Sequence, residues 1–335
     1  MSQRLEDLVF SDLFVDETVG GSWYKPTPDS METTPVPPEY GEEILELRKR
    51  LEQPRSSNFH VYAPGDKNVR LRGKRIRTTG EKDMFICRGY RIGATNLKDL
   101  GLAPQVTEEL MSPNLRNGLV AFLGKPGAGK TTTAIAYVCE RLRQFGGVCW
   151  TIENPVEIVI QGMHGKGRCY QTEVDDDTQM EERIQDMFRA TPNILFIGEI
   201  FTRKALQGAI RAASGGTLVV FTYHGNDLIS GLGRLDRTAG GSEVDIGLAD
   251  VLRGVVHLEL HNASAQVPRA NFLTGAPGAG TGTPPRVLEA SSLFMTSPED
   301  FRSVQSIIRE KNYQQLSSVI TKQRNQMLNR KLPGE

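Results

Sequence analysis

No hydrophobic run in this sequence approaches the roughly 20 residues that a bilayer requires. The longest apolar stretches, such as residues 119–123 and 218–221, are far shorter. Residues 1–14 are acidic and polar, which excludes a signal-peptide pattern. A soluble chain is expected, with any membrane contact made through a partner. Cysteine is scarce. Cys87, Cys139, Cys149 and Cys169 stand far apart with no Cys-x-x-Cys pair. That disfavours zinc or a redox dithiol and points to buried, reduced thiols of a cytosolic protein. Net charge is missing as well: 40 basic side chains balance 40 acidic ones. A whole-molecule field that gathers nucleic acid or anionic membrane is therefore not expected.

What is present suffices for two domains: 335 residues, 38 % of them hydrophobic. Residues 12–15 read as a short strand and 26–38 as a Pro-rich loop. Ile44, Leu45, Leu47 and Leu51 form a helical stripe over 39–52. Strands follow at 59–62, 69–71 and 84–87, with turns at Gly65, Gly73 and Gly80. Nine Lys or Arg crowd residues 67–91 against Glu81 and Asp83. Either a solvated sheet face or a phosphate-facing surface explains that excess. Residues 97–110 read as helix, and 113–117 as a link between an N-terminal domain, 1–112, and a C-terminal domain, 118–335. Beyond the link strands and helices alternate: strands at 119–123, 148–152, 194–197 and 217–222, helices at 130–145, 178–190 and 203–213. That alternation predicts an α/β domain with a mostly parallel sheet. A flexible Gly/Ala/Pro/Thr insertion is expected at 262–286, and a polar helical pair at 298–330.

Gly124-Lys-Pro-Gly127-Ala128-Gly129-Lys130-Thr131 has the P-loop spacing, with an apolar strand before it and a helix after it. Its glycines let backbone N–H groups turn toward phosphate oxygens. Lys130 brings a point charge to the β- and γ-phosphates, Thr131 a hydroxyl to Mg²⁺, and the helix beginning at Thr132 its positive pole. A similar string at 275–281 lacks the lysine and a preceding strand, and reads as linker.

Three further strands end in polar residues. Ile194-Leu-Phe-Ile197-Gly198-Glu199 places a carboxylate at the ligand-binding edge of a P-loop sheet, on a strand expected beside the loop strand. Glu199 can hold Mg²⁺ through its water shell, or it can be an acid favoured by a helix dipole. Thr151-Ile-Glu153-Asn154-Pro155-Val-Glu157 offers Glu153 to orient and deprotonate an attacking water. Thr222-Tyr223-His224-Gly225-Asn226-Asp227 offers His224 to contact the γ-phosphate; the alternative is a structural hydrogen bond. His257 and His261 lack a motif and read as structural.

Together and in order, these four segments resemble the secretion and pilus motor ATPases, including the PilT-like retraction motors and the type II and type IV secretion ATPases. Tyr170-Gln171-Thr-Glu173-Val174, Pro192-Asn193, the run from Leu206 to Ala213 and Gly233-Arg234-Leu235 also fit. The resemblance runs from about Val69 to the C-terminus. It implies a PAS-like α+β N-terminal domain followed by a RecA-like P-loop ATPase domain. It further implies a homo-hexamer that binds ATP and Mg²⁺ between the domains, at the cytoplasmic face of an inner-membrane platform. Arginines of the N-terminal strands are then expected at the phosphates, from among Arg70, Arg72, Arg75, Arg77 and Arg88, with Arg88 favoured. Asn154 departs from the family's aspartate, and its tetracysteine zinc element and Gln-Arg-Leu segment are absent. The match therefore leans toward compact PilT-like and type IV secretion members. Two rivals share the core: a nucleic-acid translocase, which neutral charge does not support, and an ATP-binding assembly ring with little turnover, which Asn154 suggests.

Overall fold

The computed structural model describes residues 5, 8, 10–26, 30–53, 58–64, 70–79, 83–89, 91–92, 96–240, 246–262 and 286–329. The chain divides into two compact units. Among the described residues, the first holds those up to 92 together with Glu157–Val159, and the second holds the remainder.

The first unit is a sheet backed by one helix. Strands β1 (Asp12–Val15), β2 (Trp23–Lys25), β3 (Thr34–Pro35), β4 (Asn58–Tyr62), β5 (Arg70–Arg77) and β6 (Asp83–Gly89) lie in the order β3-β2-β1-β6-β5-β4. Every pairing among them is antiparallel. Helix α1 (Gly41–Leu51) buries Ile44, Leu47 and Leu51, three and four residues apart. Leu45 lies off that stripe and is exposed. Glu42 and Glu43 in its first turn and Arg48, Lys49 and Arg50 in its last match the helix dipole. Strand periodicity does the rest: Phe85 and Cys87 of β6 point into the core, while Arg88 points out. On β5, Leu71 is buried, whereas Lys74, Arg75, Ile76 and Arg77 are exposed. Arg48 is buried over the Phe85 ring and donates to the carbonyls of Val15 (3.3 Å) and Asp83 (2.8 Å). A short strand β7 (Arg91–Ile92) pairs in parallel with β10 (Ile158–Val159).

The second unit is an α/β layer structure. Its strands are β8 (Gly118–Gly124), β9 (Gly147–Glu153), β11 (Gly162–His164), β12 (Gly167–Glu173), β13 (Ile194–Glu199), β14 (Leu218–His224), β15 (Leu252–Asn262) and β16 (Arg286–Phe294). Their order is β11-β12-β9-β13-β14-β8-β15-β16. From β12 to β15 all pairings are parallel; β11 and β16 add antiparallel edges. All seven residues of β8 are buried, as expected of a central strand covered on both faces. The helices are α2 (Pro104–Leu110), α3 (Lys130–Phe145), α4 (Asp177–Ala190), α5 (Arg203–Ser214), α6 (Leu228–Ala239), α7 (Leu248–Val251), α8 (Pro298–Arg309) and α9 (Leu316–Asn329). Leu119, Ala121 and Leu123 join the core formed with α4 to α8. Phe122, of opposite parity on β8, meets Tyr137 of α3 at 5.9 Å between rings. Gln323 of α9 is buried against β16, where its amide both donates to Phe294 O (2.6 Å) and accepts from Phe294 N (3.0 Å). It thereby stands in for a strand at the sheet edge.

The expected helix at 97–110 is two pieces. A 3-10 turn, Leu97–Leu100, ends at Gly101, whose φ of 79° only glycine adopts easily, and α2 restarts at Pro104. Among the described residues, those up to Ile92 lie in the first unit and residues 96–117 pack with the second. The cause is packing: Leu97, Val106, Leu110 and Leu115 are buried. Buried Arg141 of α3 also donates to the carbonyls of Leu110 (3.0 Å) and Ser112 (3.1 Å). The expected insertion at 262–286, with its loop-like string at 275–281, lies outside the described residues except for its two ends. Among the described residues, no helix is long and apolar enough to cross a membrane.

Candidate nucleotide site

Strand β8 ends at Gly124, and α3 begins six residues later at Lys130. Gly124 has φ 155°, and a Cβ there would lie 2.7 Å from Leu258 O and 3.0 Å from Ala128 Cβ. No larger residue fits that turn. Ala128 N donates to Lys125 O (3.1 Å), which tightens the loop, and Gly127 and Gly129 take φ of 75° and 85°. Gly129 is the N-cap of the 16-residue α3 and supplies no side-chain cap. The first-turn N–H groups of a helix have no acceptors within it. They belong here to Lys130, Thr131 and Thr132, and Thr131 and Thr132 are half-buried. Lys130 is buried and folds back over the loop, with Nζ donating to Lys125 O at 3.1 Å.

Parallel register brings the other strand ends to this loop. His224 at the end of β14 is the register partner of Gly124. On β13 the register shifts between Ile197 and Glu199, so that Glu199 pairs with Thr222. Glu199 Oε1 then lies 3.1 Å from His224 Nε2 and 4.0 Å from Lys130 Nζ. Contrary to the expectation from the sequence, the strand carrying Glu199 is not the neighbour of the loop strand. β14 lies between them, because crossover connections rather than local pattern set strand order. Carboxylate and ammonium meet nonetheless, since all three strands end at one sheet edge.

Glu153 ends β9 and is buried. Its carboxylate accepts from Gln171 Nε2 at 3.0 Å, and its carbonyl accepts from Val174 N at 2.9 Å. The missing Cβ of Gly198 leaves room for Glu153, whose Cα and Cγ would be 3.4 Å from it. Glu153 thus abuts the residue just before Glu199. Asn154, the departure from the family pattern, donates from its amide to Asp175 O (3.3 Å).

Other polar residues nearby carry structure. Asp227 of the histidine segment caps α6, accepting from Ser230 N at 2.9 Å. Its bonds to the Ser230 hydroxyl and amide hold its carboxyl below the usual range. His257 is buried and bonds Gly225 O through Nε2 at 3.3 Å. Its neighbour in the fold, Gly225 N, donates to Gly124 O at 3.4 Å, so this histidine backs the turn after β14. Phe201 is exposed, its ring 6.2 Å from that of His224.

The arginines of the first unit have local partners. Arg88 of β6 pairs with Asp12, and Arg75 of β5 with Asp83. The Arg75 bond holds the Asp83 carboxyl below its ordinary range and raises the guanidinium in turn. Arg77 is exposed at the end of β5, while the side chain of Arg70 lies outside the described residues.

With this geometry in place, comparison with known proteins decides the family. The model for type II/IV secretion system proteins matches residues 44–331, most of the chain. The chain belongs to the type II/IV secretion system protein family. This family member is 27 % identical over 209 residues to the type IV pilus ATPase PilU of Pseudomonas aeruginosa, covering 60 % of this chain and 53 % of PilU. It is 33 % identical over 159 residues to the type II secretion system protein HxcR of the same organism, covering 47 % of this chain and 32 % of HxcR. It therefore spans about half of the first relative and a third of the second. In fold it is similar to the pilus retraction motor PilT crystallised with ADP, with a TM-score of 0.68 and 22 % identity over 95 % of this chain and 89 % of that one. Gln171 carries no local pattern that links it to Glu153; the β9–β12 register does so.

Proposed function

We propose that this family member is a motor ATPase, working as a homo-hexamer at the cytoplasmic face of an inner-membrane platform to power pilus dynamics or secretion. The first unit corresponds to a PAS-like domain and the second to a RecA-like core. The observation that carries the reading is the meeting of Lys130, Glu199 and His224 at the mouth of the 124–129 loop. A cationic side chain at a helix N-terminus suits phosphate charge, and the carboxylate beside it suits a cation carried by that phosphate.

The residues fit ATP with Mg²⁺. The absent Cβ of Gly124 lets Leu258 O and Ala128 close on the turn, and at Gly127 a Cβ would meet nothing within 4 Å, so the main chain there is open to a phosphate. Thr131 and Glu199 would hold the cation, the latter through water. Bound there, Mg²⁺ neutralises phosphate charge. Lys130 releases its bond to Lys125 O and turns to the phosphates. Glu153 positions a water and takes its proton as the new O–P bond forms and the bond to the β–γ bridging oxygen breaks, leaving ADP and phosphate. His224, held by Glu199, meets the γ-phosphate. Arg70, Arg75, Arg77 and Arg88 of the basic strands are assigned to phosphate charge as well.

Steady-state hydrolysis by a size-fractionated hexamer, beside Lys130→Ala and Glu153→Gln, tests the reading. Turnover lost in both variants supports it. A pure hexamer that binds ATP and releases no phosphate overturns it.

A further inference from the structure

We infer that Gln171 is a positioning residue for Glu153, holding that carboxylate in one rotamer for the attacking water. The inference rests on the reading of Glu153 as base. Strands β9 and β12 run parallel, with Thr151 opposite Gln171 and Glu153 opposite Glu173. From its place two residues short of Glu153, Gln171 reaches along the sheet and donates from Nε2 to Glu153 Oε1 at 3.0 Å.

The amide cannot turn over without loss. Its oxygen accepts from Ile160 N at 2.5 Å, so its nitrogen must face Glu153. The main-chain N–H of Gln171 in turn donates to Gln161 Oε1 at 2.6 Å. Residues 160 and 161 therefore grip Gln171 from two sides. A second clamp of the same build holds the neighbouring turn: Val156 N donates to Glu173 Oε2 at 3.1 Å. Two side chains of β12, spaced by two, thus fasten the segment that follows Glu153.

The choice of an amide has a chemical consequence. A buried carboxylate needs a donor to remain ordered, yet a cationic donor would stabilise its charge and weaken it as a base. A neutral N–H on one oxygen orients the group without adding positive charge beside it. A base misplaced by about 1 Å costs on the order of 100-fold in rate.

Four variants of the full chain test this, read by hydrolysis kinetics and by equilibrium binding of a fluorescent ADP. Gln171→Leu removes the bonds to Ile160 N and Glu153 Oε1. Gln171→Glu keeps an acceptor for Ile160 N but replaces the donor with a second acid. The third is Glu153→Gln, and the fourth combines it with Gln171→Leu. Both Gln171 variants are expected to lose about 10- to 100-fold in kcat with ADP affinity and KM within about twofold, because the missing interaction acts on the base and not on nucleotide binding. The double variant should be no slower than Glu153→Gln alone, since a positioning residue has nothing left to position. If Gln171→Glu retains normal kcat while Gln171→Leu does not, the bond from Ile160 N is what matters and the inference is overturned. It is also overturned if Gln171→Leu is fully active while Glu153→Gln is dead. A fully active Glu153→Gln would instead remove the base reading itself.

Discussion

His224 Nε2 lies 3.1 Å from Glu199 Oε1, at the ends of two adjacent parallel strands. The pair occupies the sheet edge where Lys130 also arrives, 4.0 Å from the same oxygen. Glu199 therefore bridges the loop lysine and the histidine. His224→Ala is expected to lower kcat by about 10-fold or more while leaving nucleotide affinity within a few-fold, since in the proposed mechanism the ring meets the γ-phosphate as it is transferred. Equal loss in kcat and affinity would assign His224 to simple binding.

Gly124→Ala sets a Cβ 2.7 Å from a backbone carbonyl at a φ of 155°. Strain of about 1–3 kcal/mol is expected. Thermal unfolding should show the cost, and ADP binding should be lost, because the loop must move to relieve the contact. An unchanged Tm with intact binding would mean that the loop tolerates a side chain there.

All four cysteines are buried. Burial pushes the thiols of Cys87 and Cys139 up to about 12 and holds that of Cys149 well above the ordinary thiol range. A thiolate is the reactive form. Native protein at pH 8 should leave an aromatic disulfide reagent unconsumed over minutes, and guanidinium-unfolded protein should consume four equivalents. Rapid native labelling would contradict the packing around β9 and β12.

Asp227 caps α6, and its bonds to Ser230 depress its carboxyl. A group with a lowered folded pKa contributes stability that is present above its unfolded value of about 4 and is lost as pH falls through the folded one. Asp227→Ala should therefore cost about 1 kcal/mol in urea unfolding at pH 7. The gap from the parent should narrow below about pH 4, where the parent's own carboxyl protonates. A cost that is the same at pH 7 and pH 3 would show that charge plays no part in this cap.

Gln323 makes two bonds to the main chain of Phe294 in a buried setting. Gln323→Leu strands a buried N–H and C=O, at about 1–3 kcal/mol each before relaxation. Lower urea resistance and faster amide exchange along β16 are expected, and an unchanged exchange pattern would detach α9 from the sheet edge.

Much of the site was legible in the order of residues. A P-loop is local: its spacing, the apolar run of β8 and the helix pattern of α3 all lie within one stretch, so glycine conformation and helix dipole follow from sequence. The alternation of apolar runs and amphipathic helices likewise determined a mostly parallel sheet, and the polar residues ending those runs determined that Glu153, Glu199 and His224 stand at strand ends. Other features are decisions of tertiary structure. Strand order depends on where each crossover helix packs, so nothing local could show that β14 separates β13 from β8. The hydrogen bond from Gln171 to Glu153 exists only because β12 chose β9 as its neighbour in one register, and a shift of one residue would turn Gln171 to the opposite face. The helical stripe read from the sequence includes Leu45, yet the helix places it about 100° from Ile44 and leaves it exposed. Sequence encodes periodicity and motif within a segment; which segments meet, and at which residue, is settled by packing apolar faces over distances that no local pattern records.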